Sequence, residues 1–277
     1  MAQALAIMRR MRAIADIDSS LLRQVRRRRA QVRAWWHTLQ MAAQIVVLML
    51  SPSSYTGPRA RQVLSHLVVA VWPMLPWFLV LSALISLVII RIVTATAASY
   101  GLSQYALEVL VRTLVLELIP LFAALFVALR HAMPGAEQLR QQLDARQRAG
   151  RHIPGIAGLA GTLLPRALAS GHAVVLLASL SGVVALVLTY LLVHGFSPWA
   201  LPSYTHDVGR VFSPVVSLIF VLKTAFFSLA VAVVPLAGAA EPDEHGRYRA
   251  HSDMTAFARL FSVLLMVEIA SLAGNYY

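Results

Sequence analysis

The sequence contains no cysteine, so neither a disulfide framework nor a thiolate metal or redox site is available to it. Charge is also scarce. Only 13% of the 277 residues are Asp, Glu, Lys or Arg, against roughly 25% in an average soluble domain. Lysine is almost missing, because the 24 basic residues are 23 Arg and the single Lys223. No GxxxxGK[ST] loop occurs, which excludes ATP binding by that route. The nine His show no HExxH or comparable ligand spacing, so no metal or cofactor is expected. No paired acid and His or Ser and His spacing recurs within an apolar run, which leaves no catalytic candidate and argues against an enzyme.

What fills the chain instead is apolar residues, at 58% of the sequence. A helix needs about 20 predominantly apolar residues to cross a ~30 Å hydrocarbon core. Several runs reach that length, and the expected fold is an all-α membrane bundle of about five transmembrane helices. Residues 1–34 read as an Arg-rich helix, with Arg26 to Arg29 contiguous. Residues 35–50 begin at Trp35 and Trp36 and are too short for a confident span; paired Trp beside Arg suits a helix lying at the interface, and a short first span is the alternative. A signal peptide fits poorly, since the apolar run starts late and no small-residue cleavage site follows it.

Two regions follow from this pattern: a basic interfacial segment over 1–62 and a five-span domain over 63–277. The spans are expected at Val63 to Ile90, bent by Pro73 and Pro76, then at Leu107 to Leu129, Ala167 to Val193, Phe212 to Leu236 and Met254 to Ala273. Arg130 should close the second. Pro134 to Gly150 then reads as a separate solvent-side helix, and Gly195 to Gly209 as a Pro- and aromatic-rich loop. Basic residues cluster before Arg61, between Arg130 and Arg166, and at Arg247, Arg249 and Arg259; the other side has Arg91, Arg112 and Arg210. The positive-inside rule therefore places the N-terminus in the cytoplasm and the C-terminus outside. The net charge of +12 is explained by this topology, and no nucleic-acid partner is expected.

Three ionisable residues fall inside apolar runs: Glu117, Lys223 and Glu268. A charge at mid-bilayer costs at least a few kcal/mol, so such residues face a cavity or a partner and mark a substrate pathway. A mutually neutralising structural pair is the other reading. Glu268 shares a helical stripe with Ser271, Leu272 and Asn275.

The segment Leu116-Glu117-Leu118-Ile119-Pro120 through Ala128-Leu129-Arg130 resembles the Arg-Glu-Leu-Gly-Pro…Ala-Gly-Arg signature of the MlaE/YrbE permeases. Pro165-Arg166 falls at the family's distance, Lys223-Thr224-Ala225-Phe226-Phe227 is similar to its Ile-Lys-Ser-Val-Phe-Phe segment, and Glu268 stands where the last span carries an acid. The resemblance covers residues 40 to 275. It implies the inner-membrane permease subunit of an MCE-type ABC transporter, moving phospholipid or a related lipid. Its partners would be a cytoplasmic ATPase, a second permease copy or paralogue, and a periplasmic MCE protein.

The chain departs from the pattern at Leu116, Ile119 and Leu129, which replace Arg, Gly and Gly. In the coupling helix, which would contact the ATPase through Glu137, Arg140, Asp144 and Arg146, a family acid has become the base Arg146. Three alternatives stay open at this point: a non-transporting scaffold, one half of a permease heterodimer, and a proton-coupled secondary transporter.

Overall fold

The structure, a computed structural model, describes residues 36, 39–47, 49, 51, 71–152, 156–242, 248 and 253–276. Among these no strand occurs, and five helices are long and apolar enough to cross a membrane. The Arg-rich segment 1–34 lies outside the described residues, as does the stretch 52–70 that includes the expected start of the first span.

Helix α1 is Leu75–Ser99. A turn at residues 72–74, beside Pro73, precedes it where the bend is expected, and the helix runs past Ile90 through Arg91 to Ser99. Helix α2 is the continuous stretch Ser103–Arg148, 46 residues and about 69 Å at 1.5 Å per residue. Neither Arg130 nor Pro134 ends the helix: the second span and the solvent-side helix, expected as separate elements, are one continuous rod. The physical reason lies in two wide π-helical segments, Val111–Leu118 and Ala128–Ala132. Each sits immediately before an Ile-Pro or Met-Pro pair. A proline has no N–H and crowds the carbonyl four residues back, and a π turn absorbs that without ending the helix. Gly150, at φ +64°, ends the rod, with the Arg151 N–H on the Arg146 carbonyl at 3.0 Å.

Helix α3 is Ile156–His194 and contains Pro165. The helix of the third span therefore begins well before the expected Ala167. The expected loop before the fourth span also contains a helix, α4, Leu201–Val211. Its Tyr204 and Val211 are buried on one side, while Thr205, His206 and Arg210 are exposed on the other. Helices α5, Pro214–Ala240, and α6, Asp253–Tyr276, complete the bundle close to their expected positions.

The central core joins all five long helices: Phe78 of α1, Ala123, Ala124 and Val127 of α2, Ala173 and Leu177 of α3, Phe227 and Val231 of α5, and Leu260 and Leu264 of α6. Its residues are small on α2 and α3, which lets helices approach closely where lipid offers no hydrophobic drive. At Gly171 of α3 an added Cβ would lie 2.9 Å from Ser228 Oγ of α5, and that hydroxyl donates to the Gly171 carbonyl at 2.9 Å. A second cluster lies at the basic end. Leu139 and Leu143 of α2, Leu163 of α3 and Leu236 of α5 pack there with Ile45. Residues 39–47 are helical, and Ile45 is buried. That segment packs on the end of the bundle, whereas Trp36 just before it is exposed.

Candidate functional site

The three ionisable residues singled out from the sequence meet in space. Lys223 projects from α5, Glu117 from the π-helical part of α2, and Glu268 from α6. The Lys223 ammonium donates to Glu117 Oε2 and to the Leu116 carbonyl, the latter at 3.4 Å. Glu268 Oε2 lies 2.9 Å from the same nitrogen. The Lys223 side chain is 1% exposed, and those of Glu117 and Glu268 are 10% and 13% exposed. The ring of Phe227, one turn along α5, lies beneath the ammonium at 5.7 Å.

Local sequence explains part of this geometry. Pro120 has no N–H to donate to the Leu116 carbonyl four residues back, so that oxygen remains available to an outside donor. Lys223 is that donor. The wide turn over Val111–Leu118 also places the neighbouring Glu117 side chain inward, where it is buried. The cluster contains two acids and one base, and full ionisation would leave one negative charge in a low-dielectric setting.

Two further details were not legible from spacing. Glu268 Oε2, though at ion-pair distance, accepts no aligned hydrogen bond, and the buried hydroxyl of Ser271, one turn further along α6, has no partner either. The other hydroxyls within the long helices typically bond to their own backbone: Ser170 to Arg166, Ser181 to Leu177, Thr189 to Ala185, Thr224 to Phe220 and Ser262 to Ala258. Ser271 makes no such bond.

The residues expected on the coupling helix are divided by the structure. Arg140 turns inward and donates to the Gly238 carbonyl of α5 at 2.5 Å. Arg166 of α3 donates to the Gly135 carbonyl at 2.9 Å. Glu137 accepts from Gln141 at 3.2 Å, and Asp144 pairs with Arg148 at 2.5 Å. Of the four, only Arg146 is exposed. The unpaired carbonyls near a helix C-terminus carry partial negative charge, which is why Gly238 draws an arginine. Beside it, Glu241 pairs with Arg259 of α6 at 3.5 Å. This end of the bundle is therefore tied together by guanidinium groups.

At the opposite end, Tyr190, His194 and Tyr204 form an aromatic cluster, with His194 5.7 Å from each tyrosine ring. The Tyr204 hydroxyl donates to the Leu186 carbonyl at 2.8 Å, and burial pushes its pKa up to about 12.

Comparison with protein families decides the identity. The family described as Permease MlaE matches residues 63–272. The chain belongs to the MlaE permease family. It is thus a multi-pass membrane protein and the permease subunit of an ABC-type transporter, a setting that implies partner subunits. A search of curated proteins finds no matching relative. The matched range contains Glu117, Lys223 and Glu268, so the buried cluster is a feature of the permease domain itself.

Proposed function

We propose that this MlaE-family permease moves phospholipid or a related lipid between the bacterial inner membrane and a periplasmic MCE protein, driven by a cytoplasmic ABC ATPase and paired with a second permease copy or paralogue. The observation that carries the reading is the cluster of Glu117, Lys223 and Glu268, drawn from three helices and held within the span. Charges there are expensive, and they mark a substrate pathway. The basic end, with Arg140, Arg146, Arg148 and Arg166, faces the cytoplasm by the positive-inside rule. The permease domain is residues 63–277, and the Arg-rich residues 1–62 precede it.

The continuous rod α2 supports a coupling role for its last turns. It begins beyond Glu117 on one side and ends on the exposed face that carries Arg146. A push on that face is transmitted along one helix, and the Arg140 and Arg166 ties carry it to α5 and α3. Glu137 and Asp144 hold the same segment through their local pairs, and Arg146 is the residue placed to meet the ATPase.

The test is co-reconstitution of the permease with its ATPase in proteoliposomes containing labelled phospholipid, with the MCE protein outside as acceptor. ATP-dependent transfer is the expected result, with Arg146→Glu lowering ATPase stimulation while the permease remains folded. Transfer driven by a proton gradient without ATP identifies a secondary transporter instead. Absence of transfer despite full assembly identifies a scaffold.

A further inference from the structure

We propose that the buried cluster, together with Ser271, is a binding site for the primary ammonium of a lipid headgroup, so that the transported lipid is amine-bearing. This inference rests on the lipid-permease reading and narrows it to a substrate class.

The cluster has acceptors to spare and no free cation. Lys223 is enclosed by Glu117, Glu268 and the Leu116 carbonyl, and its side chain is 1% exposed. An anionic phosphate therefore finds no free cation in the cluster. With both carboxylates ionised, two negative charges against one ammonium favour a cationic ligand. Two oxygens have matching chemistry: the Glu268 carboxylate, which meets Lys223 at 2.9 Å and has lone pairs to spare, and Ser271 Oγ, which is buried and has no hydrogen-bond partner. Ser271 is 7% exposed and lies three residues from Glu268 on the same helical face. The antiparallel register of α5 and α6, with Glu268 against Lys223 and Gly274 3.7 Å from Ile219 by its ideal Cβ, places Ser271 one turn beyond the ion cluster. A hydroxyl on a membrane helix normally bonds to its own backbone, and a buried one left unbonded costs about 1–3 kcal/mol. A primary ammonium has three N–H donors, enough to serve the Glu268 carboxylate and the Ser271 oxygen together. A quaternary headgroup carries the charge but has no N–H to donate, and an anionic headgroup is repelled.

The experiment uses the purified full chain in detergent, incubated with an equimolar mixture of phosphatidylethanolamine, phosphatidylcholine and phosphatidylglycerol of identical acyl chains. Retained lipids are identified by native mass spectrometry. Enrichment of phosphatidylethanolamine over phosphatidylglycerol by about tenfold is expected, the scale of one charge-assisted hydrogen bond. Ser271→Ala and Glu268→Gln should each remove most of that enrichment while total lipid retained stays constant. Equal retention of the three lipids by the unmodified chain overturns the proposal and means that a proton balances the second carboxylate. Enrichment that survives both substitutions also overturns it, by placing the amine elsewhere. If no lipid is retained at all, the lipid-permease reading falls with it.

Discussion

At the residue scale, Lys223 is the keystone, since one ammonium serves two carboxylates and a carbonyl with almost no water. Removing one member of a buried ionic group strands the rest, typically at 3–5 kcal/mol. Lys223→Met is therefore expected to destabilise the bundle by about 3–5 kcal/mol, read as a lowered melting temperature by circular dichroism in detergent. Glu268→Gln leaves the Glu117–Lys223 pair intact and should cost far less. The triple variant Lys223→Met, Glu117→Gln, Glu268→Gln should regain much of the loss; if it is no more stable than Lys223→Met alone, stranded charge is not the cause. The sequence located all three residues, because an ionisable group inside an apolar run is conspicuous. It did not show that the Leu116 carbonyl joins them or that Ser271 lacks a partner, since these depend on the path of the backbone.

At the scale of elements, the close approach of α3 and α5 depends on Gly171. Gly171→Ala brings a Cβ within 2.9 Å of Ser228 Oγ, so the serine must rotate away and lose its bond to the Gly171 carbonyl. A loss of about 1 kcal/mol follows. Adding Ser228→Ala removes the clashing atom, so the double variant should be less destabilised than the sum of the two singles. Strictly additive values would show that the two positions do not meet. Helix α4 offers a second test through Tyr204, which lies outside the spans. Its pKa is raised to about 12 from an ordinary 10.0. Between those values the unfolded chain releases a proton that the folded one retains, so stability falls as pH rises through this window. Tyr204→Phe should abolish that part of the alkaline decline, measured by comparing unfolding at pH 9 and pH 11 (about one unit either side of the ordinary value).

For the whole molecule, the Arg distribution predicts orientation. A reporter fused after Tyr277 should lie outside and one inserted near Gln142 should lie in the cytoplasm; both on one side would refute the five-span topology. The inward course of Arg140 adds a mechanical expectation. Arg140→Gln breaks the tie between α2 and the Gly238 carbonyl but leaves the exposed Arg146 in place. ATPase binding should persist while stimulation by lipid drops several-fold. Loss of binding instead would make Arg140 a contact residue.

The sequence alone determined that the chain is a polytopic helical membrane protein, because span-length apolar runs in lipid have no stable form here other than helices that satisfy their own backbone. Its motifs also sufficed to suggest the permease family. Helix ends were less legible. Proline and arginine read as terminators, yet at Pro134 a π turn and packing on α5 override the local preference, and α1 runs through Arg91 to Ser99. Only the tertiary structure decided that Glu117, Lys223 and Glu268 share one site, that Arg140 faces inward, and that Ser271 stands unbonded beside the acids. Contacts between residues more than a hundred positions apart, such as Lys223 with Glu117 at a separation of 106, are fixed by how helices pack, and periodicity along one helix has no record of that.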